Sequence, residues 1–192
     1  GSPVVRPPPS ERDDAKACKG MCLAHANRGG TGRDRGIIPP DSGMTLYVRD
    51  YRASDKDALI ALWQACDLLR PWNDAAADIA RARAAKDATL LVGHEAGALI
   101  ASVMTGYDGH RGWAYYLAVA PDRRSRGHGR EIMEEAGLWL AARGAPKMEL
   151  MVREGNLDAR AFYAKLGFER QAVDVYGKWL VEPAGGTAPD ES

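Results

Sequence analysis

The sequence predicts a mixed α/β layer fold, one sheet with helices packed on it, in a single domain. Three observations predict it. Helix-like and strand-like apolar periodicities alternate between residues 44 and 181, the pattern of a layered α/β domain. Three strand patterns follow one another across residues 89–120 with short turns between them, which describes an antiparallel meander. Hydrophobic residues make up 45% of a 192-residue chain, enough for a real core and a length that fits one domain better than two.

Each element follows from local chemistry. Leu46-Tyr47-Val48-Arg49 reads as a short strand. Ser54, with Asp57 three residues on, is a capping-box-like start for a helix whose apolar positions are Leu59, Leu62, Trp63, Cys66 and Leu69; Pro71 stops it. Asn73 can cap a second helix, alanine-rich and weakly amphipathic, from Ala75 to Lys86. Thr89–His94, Ala98–Tyr107 and Trp113–Ala120 are the meander, the first two joined by Glu95-Ala96-Gly97. A helix from His128 to Arg143 buries Ile132, Met133, Ala136, Trp139 and Leu140 and closes at Gly144. Lys147–Val152 is a strand, Asp158–Leu166 a short helix ended by Gly167, and Phe168–Val181 one or two final strands.

Outside this region the pattern fails. Residues 1–43, with Pro7-Pro8-Pro9, Gly29-Gly30 and Pro39-Pro40, are expected to be a disordered extension, and residues 182–192 a flexible tail. Gly1-Ser2 resembles a cleavage scar, and Met44, just before the first strand, is the expected natural start. Cys18, Cys22 and His25 lack a nearby fourth ligand and fit no standard zinc spacing, so no metal is expected. Lysine plus arginine number 26 and aspartate plus glutamate 26, so no global field draws the chain to nucleic acid or an anionic membrane. With no apolar run near a membrane span, no signal-peptide pattern and only three cysteines, the expected compartment is the cytoplasm.

The stretch that carries chemistry is Leu117-Ala118-Val119-Ala120-Pro121-Asp122-Arg123-Arg124-Ser125-Arg126-Gly127-His128-Gly129-Arg130, where a strand ends and a two-glycine loop leads into a helix. The first turn of a helix leaves backbone N–H groups unpaired and carries the positive end of the helix dipole, so a phosphate can be held there by main chain. Arg123, Arg124, Arg126 and Arg130 put four arginines around that turn of an otherwise neutral chain. A Walker loop is absent, and a dinucleotide fingerprint would need a third glycine where Ile132 stands.

Arg124-x-x-Gly127-x-Gly129 after a Val-x-Pro strand end resembles the pyrophosphate loop of the GNAT superfamily of N-acetyltransferases. The rest of that family's order follows here: a helix, a strand, Asn156, and Phe162-Tyr163-Ala164-Lys165-Leu166-Gly167-Phe168. The resemblance covers roughly residues 44–181, and Cys66 to Asn73 and Tyr107 to Gly112 further resemble the bacterial YpeA-type branch. It implies the GNAT acyl-CoA N-acyltransferase fold, mostly antiparallel sheet flanked by helices, with acetyl-CoA as co-substrate and no metal.

The resemblance also implies roles. Arg124, Ser125, Arg126, Gly127, His128, Gly129 and Arg130 would cradle the coenzyme pyrophosphate, and Leu117, Ala118 and Val119 would pair with the pantetheine arm. A bulge there would open the cleft. The Val119 amide would stabilise the oxyanion, Asn156 and Phe162 would touch the arm, and Tyr163 would be the general acid, its alternative being a core aromatic. Trp113 to Ala120 has no acid, a departure from members with a glutamate on the fourth strand, so the base candidates are Asp108, His110 and Asp67, or a water chain. Asp67, Arg70, Trp72, Asn73, Asp108 and Arg111 are candidates for acceptor contact. His94 is expected to be solvated, Cys66 to be core, and His128 to contribute its backbone rather than its ring.

The implied reaction is direct acetyl transfer to a primary amine of a small metabolite or amino-acid-like acceptor. A protein N-terminus, and a non-catalytic acyl-CoA sensor, are the alternatives. The partner is thus a small-molecule amine or a peptide, with no nucleic acid or membrane, and both monomer and homodimer stay open.

Overall fold

The computed structural model of the chain describes residues 46–181; expectations for the tails, Met44 and the Cys18, Cys22 and His25 group lie outside the described residues. Five strands and four helices follow in the order β1 (Tyr47–Asp50), α1 (Lys56–Ala65), α2 (Ala75–Ala84), β2 (Ala88–Glu95), β3 (Ala98–Tyr107), β4 (Gly112–Val119), α3 (His128–Ala141), β5 (Met148–Leu150) and α4 (Leu157–Lys165). The strands form one sheet in sequence order, antiparallel from β1 to β4 and parallel between β4 and β5.

Strand alternation makes two cores. Leu91 and Val103 face α3, where Ile132, Met133 and Ala136 meet them. On the other face Leu90, Val92 and Ala118 meet Leu59, Leu62 and Trp63 of α1 and Ile79 and Ala82 of α2. The β2–β3 turn is a two-residue hairpin, with Ala96 (φ 49°) and Gly97 (φ 83°) both left-handed, as a tight hairpin turn requires.

Several boundaries differ from the local reading. The Ser54–Asp57 capping box does not form; a 3₁₀ turn at Ala53–Asp55 precedes α1, and Asp55 is taken by Arg49 and by the Arg52 amide. Helix α1 ends at Ala65, before Pro71, because Asp67 turns the chain with φ 54°. Asp74 rather than Asn73 caps α2, its carboxylate accepting from the Ala77 N–H at 3.0 Å. Residues 168–181 form no strand, and Val173, Val175, Tyr176, Leu180 and Val181 stand exposed. A strand needs an edge to pair with, and β5 is only three residues long.

Asp55 ties β1 to the start of α1. Both carboxylate oxygens accept from the Arg49 guanidinium, at 2.7 and 2.8 Å, and the side chain is 8% exposed. The Arg49 hydrogen bond holds its carboxyl at about 2, below the ordinary 3.8. A depressed carboxyl stabilises the fold fully above its ordinary pKa and loses that contribution as pH falls toward its folded pKa. Asp55→Asn is therefore expected to lose about 2 kcal/mol at pH 7 and to flatten the fall in stability between roughly pH 4 and pH 2. Urea melts across that range check it.

Candidate active site

Strand β4 opens the sheet. Val119 pairs with Ala101 and Ala118 with Ser102, but Tyr115 then pairs with Met104, so Tyr116 and Leu117 together face Val103. Tyr116 takes φ 51°, a bulge that bends the strand. On its other side β4 pairs with β5 only over Gly112, Trp113 and Ala114, so the two strands separate from Tyr115 onward. The Ala120 N–H donates to Ile100 of β3 at 2.8 Å; alternation then turns the main chain of Val119 and Leu117 toward the gap. The Val119 carbonyl accepts from Cys66 Sγ and Arg124 Nε, each at 3.3 Å.

Beyond β4 a 3₁₀ turn at Pro121–Arg123 leads into the glycine loop. Ser125 (φ 63°) and Gly127 (φ 96°) are left-handed, and the first bonds of α3 run from the Arg130 and Glu131 N–H groups to the Gly127 carbonyl. The amides just ahead of them face outward at the positive end of α3. A Cβ on Gly129 would lie 3.0 Å from Phe162 Cζ and 3.7 Å from Val119 Cγ2, so only glycine lets α3, α4 and the end of β4 meet this closely. Arg124, Arg126 and Arg130 are exposed around the loop, with Arg130 Nη2 reaching the Lys165 carbonyl at 3.4 Å.

The far wall is α4. Asn156 is its cap, Oδ1 accepting from the Ala159 N–H at 3.0 Å, which commits that oxygen. Tyr163 packs edge-on between Phe162 and Phe168, with ring centres 5.2 and 5.6 Å away. Burial pushes its phenol up to about 12, so it is a neutral O–H donor at ordinary pH.

On the opposite face of the bulge the candidate Asn73 lies with Tyr116, Asp78, Trp63 and Ser102, which local patterns did not single out for the site. The Tyr116 hydroxyl donates to Asp78 Oδ2 of α2 at 2.6 Å, with Asn73 Nδ2 at 3.5 Å, and its ring stacks 4.1 Å from Trp63. Trp63 Nε1 donates to Ser102 Oγ at 2.9 Å, and Ser102 donates to the Tyr116 carbonyl at 3.1 Å, so the bulge is held from the core. Burial, then Asp78, raises the Tyr116 phenol well above its ordinary range. The absence of an acid on β4 was the available signal that the polar group must come from another element.

Other candidates part company. Trp72 is half-buried beside Asn73. Arg70 Nη1 pairs with Asp67 Oδ1 at 3.3 Å and also donates to the Asp67 and Leu69 carbonyls, so these two side chains brace their own loop. Asp108 and His110, the base candidates, lie in the turn before β4. The Asp108 carboxylate accepts from the Arg111 N–H at 2.6 Å, Trp113 Nε1 at 2.9 Å and the His110 N–H at 2.7 Å, which hold its carboxyl at about 2. These three bonds commit the carboxylate to its own turn and favour its charged form. Asp108, His110 and Arg111 stand at the end of β4 opposite Val119: a Cβ on Gly112 would strike Leu140 at the end of α3, while Val119 meets its beginning. Seven strand steps, roughly 20 Å, separate the two ends. Arg111 instead lies 3.8 Å from Glu149 of β5.

One histidine differs from expectation, and the ring of another is enclosed. His94 is half-buried, Nε2 lying 3.3 Å from Arg49 Nη2, and burial followed by Arg49 lowers its pKa. The His128 ring is 1% exposed and faces Glu95. Among the described residues, no group of three or more His, Cys, Asp or Glu is arranged to hold a metal, and no helix is long and apolar enough to cross a membrane.

Comparison with known proteins agrees with this architecture. Residues 48–168 match the acetyltransferase (GNAT) family. An acetyltransferase of Yersinia enterocolitica is 46% identical over 136 residues, 71% of this chain and 96% of that protein. One of Pectobacterium atrosepticum is 46% identical over 137 residues, 71% and 97% of the two chains. Among solved structures, the aminoglycoside N-acetyltransferase AAC(6′)-Iy in complex with CoA superposes with a TM-score of 0.60 at 16% identity, over 76% of this chain and 100% of that one. An acetyltransferase from Agrobacterium tumefaciens, itself described as unproven, gives 0.59 at 22% identity, over 69% and 99%.

Proposed function

This chain belongs to the GNAT acetyltransferase family and is an acetyl-transfer enzyme, and from that premise we propose that it moves the acetyl group of acetyl-CoA directly to a primary amine of a small metabolite. The observation that carries the proposal is the open edge of β4, which runs from the bulge at Tyr116 straight into the glycine loop at the start of α3. An extended amide chain ending in a pyrophosphate matches that edge and that loop. We take residues 44–181 as the catalytic domain.

The residues fit the coenzyme. Loop 124–130 would hold the pyrophosphate with main-chain N–H groups and surround it with arginine; Gly129 lets Phe162 close against the end of β4. Leu117, Ala118 and Val119 would line the arm from one side and Phe162 from the other, while Asn156 keeps only its amide nitrogen for it. When bound, acetyl-CoA supplies an acyl thioester, an electrophile with a thiolate leaving group.

The chain's own residues then have separable tasks. The Val119 N–H, turned to the gap, would polarise the carbonyl as negative charge develops. Tyr163, kept protonated by burial, would give its proton to the departing sulfur, and its phenolate would take up the proton that the neutral attacking amine loses on forming the amide, so that amide and thiol leave and the phenol is restored. Asn73, Trp72 and Tyr116 would form the acceptor wall, with Asp78, ion-paired to Arg81, holding the Tyr116 hydroxyl in place. Aminoglycosides are polyamines, and the AAC(6′)-Iy likeness, at the level of fold, supports a small amine as acceptor.

The test is titration calorimetry of the protein with acetyl-CoA and with CoA, followed by thiol release against a panel of amines, polyamines and peptides. Binding with amine-dependent release is expected. Release with N-terminal peptides alone would move the acceptor to proteins; binding with no release from any acceptor would favour a sensor, and no binding would overturn the proposal.

A further inference from the structure

Glu95 ends β2, outside the cleft, yet its carboxylate meets the glycine loop from both sides. Oε2 lies 3.1 Å from Nη1 of Arg123, in the 3₁₀ turn before the loop. Oε1 lies 3.4 Å from Nε2 of His128, the first residue of α3 after the loop. The glutamate side chain is 10% exposed and the His128 side chain fully enclosed. Both ring nitrogens of His128 and Oε1 of Glu95 are buried without a hydrogen bond, and of these Nε2 and Oε1 face each other. Asp122 Oδ2, 3.3 Å from Arg123 Nε, is the other charged group at this cluster.

We infer that Glu95 is a positioning residue for the coenzyme site: one carboxylate, ion-paired with Arg123 and packed against the His128 ring, sets the distance between the two ends of loop 123–128 and so presents its N–H groups to a pyrophosphate. The inference rests on the proposed coenzyme reading. Glu95 does not touch the coenzyme. Its charge, by itself, opposes an anion, because a buried carboxylate behind the loop repels phosphate. Conformational and Coulombic effects therefore have opposite signs. Removing the charge should tighten coenzyme binding if Glu95 acts only through its field, and weaken it if Glu95 holds the loop.

The experiment measures CoA affinity by calorimetry, and loop 123–130 amide exchange in the ligand-free protein, for wild type, Glu95→Gln and Arg123→Gln. The expected result is a CoA Kd raised about tenfold in Glu95→Gln, with KM for acetyl-CoA rising in step, KM for the amine and kcat unchanged, and faster loop exchange in both variants. Arg123 is partly exposed, so its variant keeps the fold if Glu95→Gln does not. Tighter CoA binding in Glu95→Gln, or wild-type exchange in both variants, overturns the inference. A wild type that binds no CoA at all overturns the coenzyme reading instead, and the exchange comparison still decides whether Glu95 clamps the loop.

Discussion

Gly127→Glu is expected to abolish CoA binding, raising Kd by more than 100-fold, on the order of 3 kcal/mol. Two causes act together. Gly127 has φ 96°, outside the ordinary range of residues with a Cβ, so a side chain there strains the turn that starts α3. The added carboxylate then sits among the amides that would meet phosphate, beside Glu131, whose Oε1 lies 3.7 Å from the Cβ position. Gly127→Ala separates the causes: it carries the strain without the charge, and a loss of about tenfold is expected. Calorimetry with CoA reads both, with a thermal melt to confirm the fold. Binding by Gly127→Glu within twofold of wild type would remove the loop from the coenzyme site.

Tyr163→Phe is expected to lower kcat about 100-fold while leaving the CoA Kd within twofold. Phenylalanine fills the same space between Phe162 and Phe168, so packing survives and only the O–H is lost. The pH profile adds a second check. A phenol raised to about 12 stays protonated as pH rises, so its donor role persists through pH 10 and wanes only toward 12. Wild-type kcat should therefore show no alkaline fall below roughly pH 10 attributable to this group. Unchanged kcat in Tyr163→Phe would make Tyr163 a packing aromatic, as its edge-on contacts alone would allow.

Much of this molecule was legible from short range. The meander, its tight turn at Glu95-Ala96-Gly97, the long helix α3 and the short helix α4 came from periodicity and punctuation, because each depends on residues within a turn or a hairpin of one another. Errors gathered at helix ends, where competing partners decide. The Ser54–Asp57 start of α1 gave way to a 3₁₀ turn in which Asp55 accepts from Arg49 and the Arg52 N–H, and Asp74 displaced Asn73 as the cap of α2, leaving Asn73 beside Tyr116. Phe168–Val181 has strand composition but lacks a paired edge among the described residues.

The sequence by itself determined the order of elements, the apolar faces and the arginine-rich glycine loop at the start of a helix, since all of these are local patterns. Tertiary structure alone decided which polar groups serve that loop and cleft. It committed Asp108 to its own turn at the far end of β4, brought Asp78 of α2 to the Tyr116 hydroxyl, and closed the His128 ring over Glu95. The physical reason is common to all three. A carboxylate's proton affinity and partners depend on what the fold brings within about 4 Å, and residues far apart in the chain carry no local mark of that encounter.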